Sequence, residues 1–178
     1  MPYSINLRSD NESVDSIRSL WRECAALEDS PSMAALNYPP HMTLAIFDDI
    51  DERQLFDAFD VAFADITQIT SRVDRLGYFE APHAIVLWAA PSLPSVVHSL
   101  HAQIHSLLDV DLCRPHYRPG AWVPHCSLAT SIDPSRRDEA IEFANRSIEP
   151  FEVVFDVADC ATFLPVDVVR ERKLPADV

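Results

Sequence analysis

The sequence predicts an α+β fold: two pseudo-symmetric lobes, with largely antiparallel sheets and flanking helices, around a central cleft. Three observations predict it. Strand-like and helix-like patterns are interleaved, yet several strand patterns follow one another directly, which argues against a doubly wound parallel sheet. One short segment recurs at an offset of 84 residues (position 41 to position 125), each time as a strand pattern followed by a capped helix. The chain has 178 residues, 48% apolar and 24% charged, enough to bury a core. Residues 1–178 are therefore read as a single bilobed domain, with motif strands at about 40–47 and 123–131.

Taken in order, Tyr3 to Arg8 alternates and reads as a strand. Val14, Ile17, Leu20, Trp21, Cys24 and Leu27 recur at helical spacing, giving an amphipathic helix over Asn11 to Leu27. After Pro31, Pro39 and Pro40 comes a strand, His41 to Phe47. Asp51 caps the next helix, with Gln54 in the capping-box position, and that helix buries Leu55, Phe56, Phe59 and Phe63. Strands are expected over Thr67–Leu76 and His83–Ala89. Ser92 opens a helix with Leu93, Val97, Leu100, Ile104 and Leu108 on one side. Leu112–Gly120 reads as loop and Val123–Ile132 as strand. Asp133-Pro134 starts a helix. Phe151, Val153, Phe155 and Val157 alternate, and a final strand is expected over Ala161–Arg170.

Composition excludes several functions. Only Gly77 and Gly120 occur, so neither Gly-rich phosphate-loop motif can be written. Twenty-eight acids against fourteen bases give a net charge of −14, which repels long polyanions and leaves a small anion in a locally positive pocket. The uncharged stretch from Ala81 to Leu108 carries three prolines and four histidines and is not a spanning helix. The first residues show no secretory signal, and the four scattered cysteines contain no C-x-x-C, so a cytoplasmic chain with reduced thiols and no membrane partner is expected.

The repeat carries the chemistry. Tyr-Pro-Pro-His-Met-Thr-Leu-Ala (Tyr38–Ala45) falls on Trp-Val-Pro-His-Cys-Ser-Leu-Ala (Trp122–Ala129). In a regular strand His41, Thr43 and Ala45 share one face, as do His125, Ser127 and Ala129. Met42, Leu44 and Ile46 then point to the core, and the two alanines floor a cleft. Two such strands would place two imidazoles on opposite sides of one ligand. That suits in-line displacement at phosphorus: one neutral histidine takes a proton, a protonated one gives a proton, and the hydroxyls of Thr43 and Ser127 donate to the non-bridging oxygens. Each motif offers a single metal ligand, so no metal or other cofactor is expected. Pro31–Phe47 holds no charge, and Leu112–Ile132 holds Arg114 and Arg118 but no acid.

At these residues the sequence resembles the 2H phosphoesterase superfamily, which contains bacterial 2′-5′ RNA ligase / RNA 2′,3′-cyclic phosphodiesterase. The resemblance rests on the doubled H-x-[ST] motif, His41-Met42-Thr43 and His125-Cys126-Ser127, and on the run from Tyr117 to Ala129. It implies a bilobed fold with an open cleft. It also implies hydrolysis of a 2′,3′-cyclic phosphate to a 2′-phosphomonoester, or reversible formation of 2′,5′ linkages. The expected partner is a small nucleotide or RNA end, and the expected catalytic set is His41, Thr43, His125 and Ser127. A non-catalytic module binding a nucleotide or RNA end in the same cleft is the alternative.

Other residues carry two readings each. Tyr38 and Trp122 stack a nucleobase or pack the framework. Arg114, Tyr117 and Arg118 line the pocket mouth or belong to an ordinary surface loop. His98, His101 and His105 read as a solvated helix edge. Cys126 faces the core.

Overall fold

Both copies of the repeat become strands because their inward residues lose all contact with water. The computed structural model describes residues 1–177. Its elements run β1 (Tyr3–Arg8), α1 (Asp15–Cys24), α2 (Ser32–Ala35), β2 (His41–Phe47), α3 (Glu52–Ala62), β3 (Ile69–Ala81), β4 (Ala84–Ser92), α4 (Ser95–Leu107), β5 (Cys126–Ile132), α5 (Arg137–Asn145), β6 (Phe151–Phe155), β7 (Val157–Thr162) and β8 (Asp167–Lys173). The predicted caps form: the Asp51 carboxylate accepts from the Gln54 N–H at 2.9 Å, and that of Asp133 from the Ser135 N–H at 2.8 Å.

The strands form one eight-stranded sheet in the order β6-β3-β4-β5-β2-β1-β7-β8, every neighbour antiparallel. It divides into two four-stranded halves. Between them, β2 and β5 meet at one residue pair, Met42 and Cys126. So thin a seam would not hold two lobes in register, but the connecting segments cross it. Helices α1 and α2 precede β2 yet pack on β5, and the turn Pro115–Tyr117 precedes β5 yet packs on β2. The Trp21 indole donates to the Ser127 carbonyl at 3.0 Å, and the Trp122 indole donates to the Thr43 carbonyl at 3.0 Å. The buried Glu28 carboxylate accepts from the N–H groups of Ser32, Thr130 and Ser131. One apolar core, with Ile17, Leu55, Phe59, Leu87, Leu100 and Phe155, runs under both halves.

Three expectations are corrected. The predicted final strand is two strands, β7 and β8, separated by a turn over 163–166; β7 is buried at every residue, so alternation could not reveal it. The second motif strand starts at Cys126, not Val123. Ser92 ends β4, and α4 is entered through Pro94.

The largest correction concerns the motif faces. In β2, Asn6 faces Thr43 while Ile5 faces Ala45, so Leu44 is an extra residue and the strand bulges. In β5, Trp88 faces Ser127 while Leu87 faces Ala129, so Leu128 is the extra residue at the equivalent place. The bulge turns both Leu44-Ala45 and Leu128-Ala129 into the core. The alanines do not floor the cleft. Beyond the bulge the faces exchange, and Ile46 joins His41 and Thr43 on the cleft side. The Leu-Ala pair common to both copies is thus a packing requirement of the bulge.

Candidate active site

His41 opens β2, and His125 stands one residue ahead of β5. The Nδ1–H of His41 donates to the Pro39 carbonyl at 2.9 Å; that of His125 donates to the Val123 carbonyl at 2.7 Å. Pro39 and Val123 are themselves 84 apart. A carbonyl only accepts, so each neutral ring carries its proton on Nδ1 and presents an unprotonated Nε2. Each imidazole also rests on an aromatic edge: His41 on Tyr38 at 4.7 Å between ring centres, His125 on Phe79 at 5.1 Å.

Burial lowers the pKa of both histidines. Beyond that their surroundings differ. The Asp159 carboxylate pulls His41 back up, whereas His41 and His116 push His125 further down. Cys126 is sealed in the core and its thiol is pushed up to about 12, which removes it as a nucleophile.

Behind His41 and Thr43 lies a polar network that sequence reasoning missed. Asp159, fully buried, accepts from Asn6 Nδ2 at 2.9 Å, Arg8 Nη1 at 2.9 Å and the Tyr38 hydroxyl at 2.6 Å. Asn6 Oδ1 accepts from the Thr43 hydroxyl at 2.9 Å. A signal was available. Ser4, Asn6 and Arg8 form the polar stripe of an otherwise buried strand, and Asp159 is a lone acid in an apolar run. Beside this network lies a pocket of about 150 Å³, walled by Leu36, Ile46, Ala161, Phe163 and Val166 and lined also by Asn6, His41 and Thr43. No charged side chain lines it. On the other side of the cleft, Phe79 and Trp88 flank His125. Trp88 lies across Gly77, where any Cβ would run into the indole; that is why β3 carries a glycine there.

The wider candidate residues are placed as follows. Tyr38 is buried and bound to Asp159. Trp122 stacks on His101 at 4.1 Å while its indole N–H holds the Thr43 carbonyl. Arg114 makes a forked pair with Asp48 and lies 5.6 Å from the centre of the Phe163 ring. Arg118 binds the carbonyls of Cys113 and Asp111 within its own loop. The half-buried Tyr117 packs against the core, and its carbonyl accepts from His101 Nε2 at 2.9 Å.

Of the histidine stripe on α4, His98 stays exposed as expected, but His101 and His105 are not a solvated edge, because Trp122 and Phe47 close over them. His101 is buried, and both ring nitrogens of His105 are shut from solvent without a partner. Burial, with His101 adding to it, pushes His105 from 6.5 down to about 4. A depressed histidine contributes stability that is complete above pH 6.5 and is lost as pH falls toward 4. His105→Leu, which leaves no buried nitrogen unpaired, is expected to raise stability at pH 7 by about 1–2 kcal/mol. It is also expected to flatten the decline between pH 6.5 and 4. Urea unfolding at several pH values checks both.

The comparisons with known proteins agree with this architecture. The family model described as the 2′-5′ RNA ligase superfamily matches residues 8–162. A solved phosphoesterase structure is 16% identical, with 98% of each chain covered and a TM-score of 0.61. The E. coli LigT structure with 3′-AMP is also 16% identical, covers 98% of this chain and 99% of that one, and has a TM-score of 0.61. The E. coli LigT structure with NADP+ gives 16% identity and a TM-score of 0.59, with 98% of each chain covered. At such identities these structures speak for the fold. No curated protein matches the sequence. The doubled H-x-[ST] strands, the fold they build and the family match lead to one assignment: the chain belongs to the 2′-5′ RNA ligase superfamily, within the 2H phosphoesterases, whose members carry phosphoesterase or 2′-5′ ligase-type activity.

Proposed function

We propose that the chain is a metal-independent phosphodiesterase that opens a 2′,3′-cyclic phosphate, on an RNA end or a small nucleotide, to a 2′-phosphate. The supporting observation is the matched state of the two histidines. Each is fixed by Nδ1 to the carbonyl two residues earlier, and each offers Nε2. His125 takes a proton from the attacking water, the water oxygen bonds to phosphorus, the P–O3′ bond breaks, and His41 gives its proton to O3′. The roles follow the charges: Asp159 draws the first proton to His41, and that charge in turn keeps His125 neutral. With a 5′-hydroxyl in place of water, the same steps form a 2′-5′ linkage.

In this reading the chain works as one unit, because each half contributes one histidine to a shared cleft. The uncharged pocket beside His41 takes the nucleoside side of the substrate, Tyr38 and Trp122 hold the motif strands, and Arg114 borders the rim. The test is incubation of 2′,3′-cyclic nucleotides with the protein in EDTA, followed by phosphorus NMR. The reading expects the 2′-phosphate as product. Binding of the cyclic nucleotide without turnover would replace it with a nucleotide-binding module.

A further inference from the structure

Thr43 and Ser127 hold equivalent places in the repeat, but their hydroxyls are not in equivalent states. A threonine hydroxyl has one proton. That of Thr43 is spent on Asn6 Oδ1 at 2.9 Å. Asn6 cannot turn its amide over, because its Nδ2 faces the Asp159 carboxylate at 2.9 Å, and a reversed amide would set oxygen against oxygen. Asp159 in turn is fixed by Arg8 at 2.9 Å and by the Tyr38 hydroxyl. Asn6 is 2% exposed, at the wall of the pocket beside His41, and Asp159 is 0% exposed, so bulk water scarcely reaches either partner. Withdrawing the Thr43 proton would leave a buried amide oxygen unpaired.

We propose that Asp159, acting through Asn6, is a positioning residue that holds Thr43 as a hydrogen-bond acceptor in the cleft, so that Ser127 is the motif hydroxyl that donates to the phosphoryl oxygens. This rests on the phosphodiester reading above. The two H-x-[ST] motifs then play unlike parts. Ser127 meets the anionic oxygens, and Thr43, on the strand of His41, meets an O–H group of the substrate. A phosphoryl oxygen brought against Thr43 would meet lone pairs.

Sulfate separates the two states, because at neutral pH all of its oxygens accept. Titrated into the protein by calorimetry, it should bind Ser127→Ala about tenfold more weakly than wild type. Thr43→Val should lose turnover of 2′,3′-cyclic nucleotide yet keep sulfate affinity within about twofold, since only an acceptor is removed. In the Ser127→Ala background, Asp159→Asn lets the amide of Asn6 turn and frees the Thr43 proton, so sulfate binding should recover. Asn6→Ala frees the same proton without breaking the Arg8–Asp159 pair and serves if Asp159→Asn does not fold. Equal losses at positions 43 and 127, no recovery in either double variant, or no sulfate binding by wild type would each overturn the proposal. Failure of the phosphodiester reading shows separately, as absent turnover with the sulfate pattern intact.

Discussion

Alanine at His41 or at His125 is expected to lower kcat/KM for a 2′,3′-cyclic nucleotide by about 10²–10⁴, the usual worth of one proton transfer. Each imidazole supplies a single Nε2; Cys126 is buried and holds its proton. Because the two transfers belong to one displacement, the double variant should be little worse than either single one. Stability should change little, since each ring makes one hydrogen bond, to a neighbouring carbonyl. Steady-state rates in EDTA, with a melting curve for each variant, measure both. Activity that survives both substitutions would mean that the doubled motif is not the catalytic centre.

The largest expected effect on stability lies at Asp159. Replacing it by alanine leaves the Arg8 guanidinium, 8% exposed, without its buried partner, and takes their shared acceptor from the Tyr38 hydroxyl and from Asn6 Nδ2, which keeps its bond to Ser4 Oγ. Removing one member of a buried pair costs about 3–5 kcal/mol, far more than the pair contributes when intact. Glu171 and Asp10 also contact Arg8 and moderate the loss, but both lie toward solvent. Denaturant unfolding of Asp159→Ala against wild type measures it. A loss below about 1 kcal/mol, the worth of a surface pair, would show that the network is not the keystone of the first half.

Much of this architecture is legible in the residues. The helix caps at Asp51 and Asp133, the strand over His41–Phe47 and the antiparallel class follow from local rules. The repeat locates both histidines because a motif found twice at one spacing is hard to explain otherwise. What stayed hidden depends on contacts between distant segments. Strict alternation sends Ala45 to the cleft and Ile46 to the core; the bulge at Leu44 reverses both, and it exists only because β1 pairs with β2 in that register. Asp159 lies 118 residues from His41 in sequence, and only the pairing of β7 with β1 brings it beneath the site. The His101–His105 pair reads as a wet edge until Trp122, on the second motif loop, folds over it. Arg114 and Arg118 read as free cations until Asp48 and the loop carbonyls take them up.

The central claim is that two histidines share one acid–base cycle, and the pH dependence of turnover tests it most directly. Burial lowers both pKa values, and activity needs one ring charged and the other neutral. The rate should therefore fall as pH rises through the folded pKa of the acid, and fall again as pH drops and the base is protonated. Both limbs are properties of the coupled pair. The account predicts a bell-shaped profile of kcat/KM whose optimum lies on the acid side of 6.5, the ordinary histidine value. A profile that stays flat from pH 5 to pH 8 would contradict it.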